Sequence, residues 1–215
     1  MINSAKMAIK ICKKRSPKHG RKLEMVYEPL KFVDTLGTQK HIVLFYEESV
    51  YAHMIAFRFI MNGLSRGEHG IYATEEDTEF IENEMANSGI DVKGFLRKKL
   101  LHIYQVPNPI DDPEGVLNGA RKIKDRILAD AKPPFRIVSR MVPESNTEEQ
   151  IAAIIEIEHN DHITFNKLQG SLLCPHPVKR IETGKHGEWL VSLLQNHHTA
   201  IFAPRSGKGI AFNMR

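Results

Sequence analysis

Short runs of apolar residues alternate with longer segments of helical periodicity along most of the chain. Residues 41–46 (HIVLFY) form the first run, and residues 49–65 then place Met54, Phe57 and Met61 at helical spacing. The same pattern predicts further strands at residues 70–74, 100–106, 135–141, 170–174 and 199–203. It predicts further helices at residues 77–86, 112–131 and 146–168, and an interrupted helical stretch at 177–195.

This alternation indicates the fold class. Runs that are apolar at consecutive positions are typical of strands buried on both faces. Helical segments between such strands are long enough to return the chain for parallel pairing. We therefore predict an α/β fold, a three-layer Rossmann-like domain whose mostly parallel sheet carries helices on both faces.

The composition fits one globular domain. The chain has 215 residues, of which 41% are hydrophobic and 26% are charged. Its apolar runs are shorter than the ~18 residues of a membrane span, and its basic N-terminus lacks the apolar core of a secretory signal. The two cysteines, Cys12 and Cys174, are far apart, so no disulfide framework is predicted. We expect a cytoplasmic protein without a membrane span.

The net charge of +4 is unevenly distributed. Residues 1–22 contain eight basic residues and no acidic one, which leaves 22 basic and 26 acidic residues in the remainder. We predict a basic, partly flexible leader over residues 1–37 and the folded domain over residues 38–215. The leader is either a solvated tail or a segment that contacts nucleic acid or an anionic membrane surface.

Residues 59–76 resemble the corresponding part of the KaiC/RecA-like ATPases, in which a strand ends at paired glutamates, here Glu75 and Glu76. The glycine-rich loop with Lys-Ser/Thr that cradles phosphates in such enzymes is replaced by FYEESVY at 45–51. The metal-binding aspartate after the fourth strand is also missing, because residues 138–140 are VSR. These two losses predict a RecA-like domain without ATP hydrolysis. The Gly-Lys pair in RSGK at 205–208 is at most a weak anion nest.

Residues 38–204 also resemble the MEDS family of sensory domains, named partly after the DcmR regulator and regarded as RecA-like derivatives. The residues that carry the resemblance are His41, LFYE at 44–47, Phe59, Gly63, Leu64, Gly67, Glu68, Tyr72, Thr74, Glu75, Ile157, Glu158, Asn166, Leu173, Cys174 and His176. The resemblance implies a signalling domain that senses simple hydrocarbon derivatives, and the NHH ending at 196–198 looks archaeal. Two residues depart from the family pattern: His176 replaces a usual tyrosine, and Arg140 replaces a usual acidic residue. The family's usual ligand class is therefore not assumed.

Polar side chains at the carboxyl ends of different strands define the predicted site. In a doubly wound sheet, ligands bind outside these ends. The predicted ligand-binding residues are Tyr46, Glu47, Thr74, Glu75, Arg140, Glu158, Cys174 and His176. An alternative for Glu47 and Glu75 is an internal ion pair with Arg140. His41 begins the first strand, at the opposite end of the sheet, so position alone favours a structural role.

Residue spacing in the second half of the chain does not decide which partner Glu158 contacts. Glu158 and His162 are four residues apart on an apolar helical face, which implies burial with a partner. They pair with each other, or Glu158 contacts the ligand or Cys174. The histidines and Cys174 lack the regular spacing of a structural zinc site, so we predict no metal and no cofactor.

The sequence is compatible with three alternative functions. The leading one is a ligand-sensing signalling domain that binds a small organic molecule in a degenerate nucleotide site and is not an enzyme. The second is an enzyme that uses Cys174 with His176 or Glu158. The third is a regulatory protein associated with nucleic acid through residues 1–22. A protein partner in signalling and a homodimer are compatible with the first.

Overall fold

The computed structural model describes residues 28–139, 148–178 and 187–214. Its strands are β1 (His41–Tyr46), β2 (His69–Thr74), β3 (Leu101–Gln105), β4 (Phe135–Ser139), β5 (Gly170–Pro177), β6 (Thr199–Arg205) and β7 (Lys208–Asn213). Its α-helices are α1 (Pro29–Thr35), α2 (Ser49–Leu64), α3 (Thr78–Asn87), α4 (Val92–Arg97), α5 (Val116–Leu128), α6 (Glu148–Thr164) and α7 (Gly187–Gln195). Short 3₁₀ helices lie at Pro109–Asp111 and Phe165–Lys167.

The strands form one sheet in the order β3-β2-β4-β5-β1-β6-β7. The pairs from β3 to β6 are parallel, and β7 pairs antiparallel with β6 at the edge. The predicted α/β class with a mostly parallel sheet is therefore confirmed. Among the described helices, none has the length and apolar character that a membrane-spanning helix requires.

Residues of each strand alternate between two helical layers. On β1, Ile42 and Leu44 belong to the core that includes residues of α1, α2, α3 and α4. Val43 and Phe45 belong to a core on the other face, built with residues of α6 and α7. A further core on that face contains Ile123 and Ile127 of α5. Because both faces are covered, the consecutive apolar residues of β1 are all buried.

Helix α1 lies within the segment that the sequence predicted as a leader. Phe32 and Val33 are buried in the core of the α1–α2 layer, and the Glu28 carboxylate accepts hydrogen bonds from the backbone N–H groups of Leu30 and Lys31. Residues 29–36 therefore pack as part of the folded domain. Their apolar side chains are too few and the helix too short to show in a periodicity pattern.

Two further short elements differ from the prediction. Helix α4 has six residues and was not predicted. RSGK at 205–208 forms the β6–β7 turn, in which Gly207 has a φ of 71°, so it is a hairpin turn of the sheet edge.

Arg136 on β4 is completely buried at the amino end of the sheet. Its Nε donates a 2.6 Å hydrogen bond to the Glu68 carboxylate, and one terminal nitrogen donates to the carbonyl oxygens of Leu36 and Gly37. The helix α2 approaches closely here, because a Cβ at Gly63 would lie 2.1 Å from Cγ of Arg136. The Arg136–Glu68 pair thus joins α1, α2, β2 and β4.

Tyr51 on α2 provides a test of how α1 docks. Its side chain is buried, and its hydroxyl donates a hydrogen bond to Oε1 of Glu28 at 3.1 Å. Burial, together with the Glu28 carboxylate, raises the pKa of Tyr51 from 10.0 to about 12. The unfolded chain then releases this proton first, so stability falls as pH rises from about 10 to about 12.

We expect the ultraviolet titration of the phenolate to show a component near pH 12 that is absent from Tyr51→Phe. Glu28→Gln should lower this pKa, because it removes the negative charge that opposes phenolate formation. A Tyr51 that ionises near pH 10 in the folded chain would contradict the docked position of α1.

Candidate functional site

The connection between β1 and α2 consists of two residues, Glu47 and Glu48. Tyr46 ends β1, and α2 begins at Ser49. The backbone N–H of Glu48 donates a 3.1 Å hydrogen bond to the carbonyl oxygen of Pro204, which ties the connection to β6. A phosphate loop needs several consecutive free N–H groups and glycines that permit close approach. This short acidic connection has neither the length nor the charge to cradle a polyphosphate.

The predicted residues at the ends of β1 and β2 occupy different environments. Tyr46 is buried in the core of the α1–α2 layer, whereas Glu47 and Glu75 are exposed. Thr74 is buried, and its hydroxyl accepts a 3.0 Å hydrogen bond from the backbone N–H of Glu76. We name these four residues the strand-end group; β4 and β5 lie between the ends of β1 and β2 in the sheet, and two carboxylates of the group are open to solvent.

A histidine that the sequence prediction did not include lies next to this group. Nε2 of His53 on α2 is 3.4 Å from a carboxylate oxygen of Glu76, and its ring stacks on Phe57. The side chain of His53 is buried, and that of Glu76 is partly exposed. The pair borders the strand ends on the α2 side. The prediction of α2 used only the spacing of its apolar residues, so His53 was not considered as a site residue.

Cys174 and His176 face the opposite side of the sheet from Tyr46. The β1–β5 register pairs Val43 with Cys174 and Phe45 with His176, and Val43 and Phe45 pack beneath α6 and α7. Glu158 reaches the same place from α6. The structure thus brings together Glu158, Cys174 and His176, separates them from the strand-end group, and does not describe Arg140, which lies outside the described residues.

Glu158 lies at the centre of a buried group that we name the Glu158 cluster, which consists of His41, Glu158, Cys174, His176 and His197. Oε1 of Glu158 is 3.1 Å from Nε2 of His176. Its Oε2 is 3.5 Å from Nε2 of His41 and 3.4 Å from Nε2 of His197. Sγ of Cys174 is 3.5 Å from Nε2 of His41. All five side chains are at most 5% exposed.

The cluster revises two expectations. His41 was placed at the opposite end of the sheet from the site, yet its ring lies against Cys174 and Glu158 because it shares a face with Val43, two residues on. Burial of Glu158, predicted from its spacing with His162, is confirmed. Close histidine contacts of Glu158 come from β1, β5 and the α7–β6 connection, and His197 was not predicted as a site residue.

Electrostatics in the cluster favour a charged Glu158 carboxylate, a neutral His41 ring and a protonated Cys174 thiol. Burial would raise the pKa of Glu158, but the hydrogen bond with His176 and the neighbouring imidazoles of His197 and His41 hold it well below its usual value. Burial lowers the pKa of His41 to about 4, helped by repulsion from His197. Burial and the Glu158 charge raise the pKa of the Cys174 thiol well above its usual value. A protonated, buried thiol is a poor nucleophile, which disfavours the Cys174 enzyme mechanism.

Comparison with known proteins identifies one similar structure and one matching family. A comparison with curated proteins finds no match. The fold is similar to that of a KaiC-like protein from the hyperthermophilic archaeon Pyrococcus horikoshii OT3, with a TM-score of 0.59 and 16% identity over 84% of this chain and 81% of that one. That similarity supports the KaiC-like, RecA-like fold. Residues 40–197 match the family model described as the MEthanogen/methylotroph, DcmR Sensory domain. Since this match covers most of the chain, the protein belongs to the MEDS family of sensory domains.

Proposed function

We propose that this MEDS domain senses a small organic molecule at the carboxyl ends of β1 and β2 without hydrolysing ATP. The observation that carries the proposal is the connection Glu47–Glu48, which occupies the place of a phosphate loop in a RecA-like fold. Two carboxylates at this place repel a polyphosphate. Membership of a sensory-domain family supports a role in signalling.

The proposed contacts are the strand-end residues Tyr46, Glu47, Thr74 and Glu75, with Arg140 after β4. Exposed Glu47 and Glu75 accept hydrogen bonds and attract positive charge, so they favour a small hydroxyl or ammonium compound over an anion. The ring of Tyr46, next to Glu47 in the chain, supplies an apolar wall. Glu158, Cys174 and His176, which the sequence also predicted as ligand contacts, are closed to solvent, so we assign the first contact of the ligand to the strand ends.

Transmission of a signal also requires a molecule that recognises the ligand-bound domain. We include in the proposal a cytoplasmic location and a protein partner, or a second copy of the chain, that recognises the ligand-bound state. Such a partner responds because a ligand that binds one conformation better shifts the population towards it.

A thermal-shift experiment with one-carbon compounds tests the proposal. We expect methanol or methylammonium chloride to stabilise the full chain, by about 2.7 kcal/mol at 100 times Kd. Sodium chloride at the same concentration should give no shift, and Mg²⁺-ATP should give neither a shift nor released phosphate. Phosphate release, or stabilisation by ATP alone, would overturn the proposal.

Two variants locate the site. Glu47→Gln and Glu75→Gln should weaken the stabilisation by methylammonium, because each removes a charge at the strand ends. Glu156→Gln on α6 is the matched control, since Glu156 is also an exposed glutamate but lies on a different element. An equal loss in Glu156→Gln would show that the cation acts through general charge screening.

A further inference from the structure

Four donor atoms of the Glu158 cluster converge on one point. They are Nε2 of His41, Oε2 of Glu158, Sγ of Cys174 and Nε2 of His197, all within 4.8 Å of one another. They come from β1, α6, β5 and the α7–β6 connection, which are distant in sequence. Such convergence of buried donor atoms calls for a physical reason, because buried polar atoms are costly unless they are paired.

Three of the six separations between these atoms match the edges of a tetrahedron around a metal ion. Zinc binds His nitrogen and carboxylate oxygen at about 2.0–2.1 Å and Cys sulfur at about 2.3 Å, so neighbouring ligand atoms lie roughly 3.3–3.6 Å apart. The His41–Glu158, His197–Glu158 and Cys174–His41 atom pairs are separated by 3.5, 3.4 and 3.5 Å.

The tautomer of His197 adds an independent observation. Its Nδ1 lies 2.6 Å from the carbonyl oxygen of Leu193, a contact in which Nδ1 must donate. In the neutral ring, the lone pair of Nε2 then faces Oε2 of Glu158 at 3.4 Å. Neither of these two buried atoms has a hydrogen-bond partner within the described residues. Two opposed lone pairs repel each other, and a cation bound to both removes the repulsion.

The surroundings orient the ligand atoms. His176 is hydrogen-bonded to Oε1 of Glu158 at 3.1 Å, which leaves Oε2 directed at the other donors. The ring of His41 stacks on Phe165 at 5.3 Å between centroids. Contacts of this kind, which hold a ligand carboxylate and a ligand ring in place, accompany most protein metal sites. His176 and Phe165 are therefore positioning residues.

We propose that His41, Glu158, Cys174 and His197 bind one Zn²⁺ ion in a closed tetrahedral site. Imidazole and thiolate ligands select zinc over Ca²⁺ and Mg²⁺, which prefer oxygen. One thiolate and one carboxylate balance the charge of the ion, so the occupied site is neutral in the core. Four protein ligands closed to solvent are typical of a structural role, here the attachment of α6 and the α7–β6 connection to β1 and β5. This proposal is independent of the ligand proposed at the strand ends.

Cobalt substitution tests the site in the unmodified chain. The full chain is unfolded, freed of metal with a chelator, and refolded with one equivalent of Co²⁺. We expect the visible absorption of tetrahedral cobalt, a thiolate-to-cobalt charge-transfer band, loss of both when Zn²⁺ replaces Co²⁺, and a higher melting temperature with Zn²⁺. A chain that refolds by circular dichroism but binds no cobalt, or binds it without the charge-transfer band, overturns the proposal.

Matched variants assign the ligands. Cys174→Ser should abolish the charge-transfer band and weaken Zn²⁺ binding by more than about 100-fold, whereas Cys12→Ser should leave both unchanged. His197→Ala should weaken binding similarly, whereas His102→Ala, in a histidine pair elsewhere on the sheet, should not. His176→Gln should keep the band and lose about 10–100-fold in affinity. A band that survives Cys174→Ser, or that disappears in Cys12→Ser, overturns the assignment.

Discussion

Replacing Glu68 with alanine is expected to cost about 3–5 kcal/mol of unfolding free energy, measured by urea denaturation. The change leaves the guanidinium of Arg136 without its carboxylate partner, and this side chain is completely buried. Water cannot solvate the charge there, and the remaining acceptors are the carbonyl oxygens of Leu36 and Gly37. The native state therefore bears the full cost of an uncompensated buried charge.

An exposed pair in the same layer is the control. Arg58 and Asp34 also form a two-point ion pair, with nitrogen–oxygen distances of 2.6 and 2.9 Å, but both side chains are more than one third exposed. Asp34→Ala should cost less than about 1 kcal/mol, because water replaces the lost partner. The double variant Glu68→Leu with Arg136→Met should be less destabilised than Glu68→Ala, since no charge remains buried. Similar losses for Asp34→Ala and Glu68→Ala would contradict this account.

Glu158→Ala is expected to have an effect of the same size, about 3–5 kcal/mol. The carboxylate contacts three buried imidazoles, and its removal leaves the hydrogen bond to His176 unmade in a site closed to water. The truncation also leaves a cavity under α6. Urea denaturation in the presence of a chelator measures this cost without a contribution from metal.

Glu156→Ala is the matched control for that experiment. Glu156 lies two residues away on the same helix and is exposed, so its replacement should change stability by no more than about 0.5 kcal/mol. Equal effects at the two positions would mean that the buried contacts of Glu158 contribute nothing to stability.

Much of the fold was predictable because strands that are buried on both faces need apolar residues at consecutive positions, and such runs are visible in the sequence. The sequence of β1 is a short continuous apolar run, and the sequences of β4 and β5 are apolar at most positions, because nearly every position that faces a helical layer is apolar. Helix α2 was predicted from its helical spacing of apolar residues. The short elements were not predictable. Helix α4 has six residues, and β7 alternates exposed and buried positions as an edge strand. Their existence depends on the surfaces against which they pack.

Three of the residues predicted as one ligand site lie together in the structure, but their contact partners were not predicted. Glu158, Cys174 and His176 were predicted together, and the structure brings them together. The contact between His41 and Cys174 joins residues 133 positions apart. No local pattern reports such a contact, because it follows from the β1–β5 register. His197 was missed as a site residue for the same reason.

The sequence by itself determined that the chain forms an α/β domain without a phosphate loop, since the residues after β1 are carboxylates where the loop needs glycines and lysine. Only the tertiary structure decided which polar residues share a site. Side chains on a strand alternate between faces, and the register of β1 with β5 places Cys174 and His176 beneath α6, on the opposite face from Tyr46. The described residues that were predicted as one ligand site therefore divide into a strand-end group with two exposed carboxylates and a buried cluster.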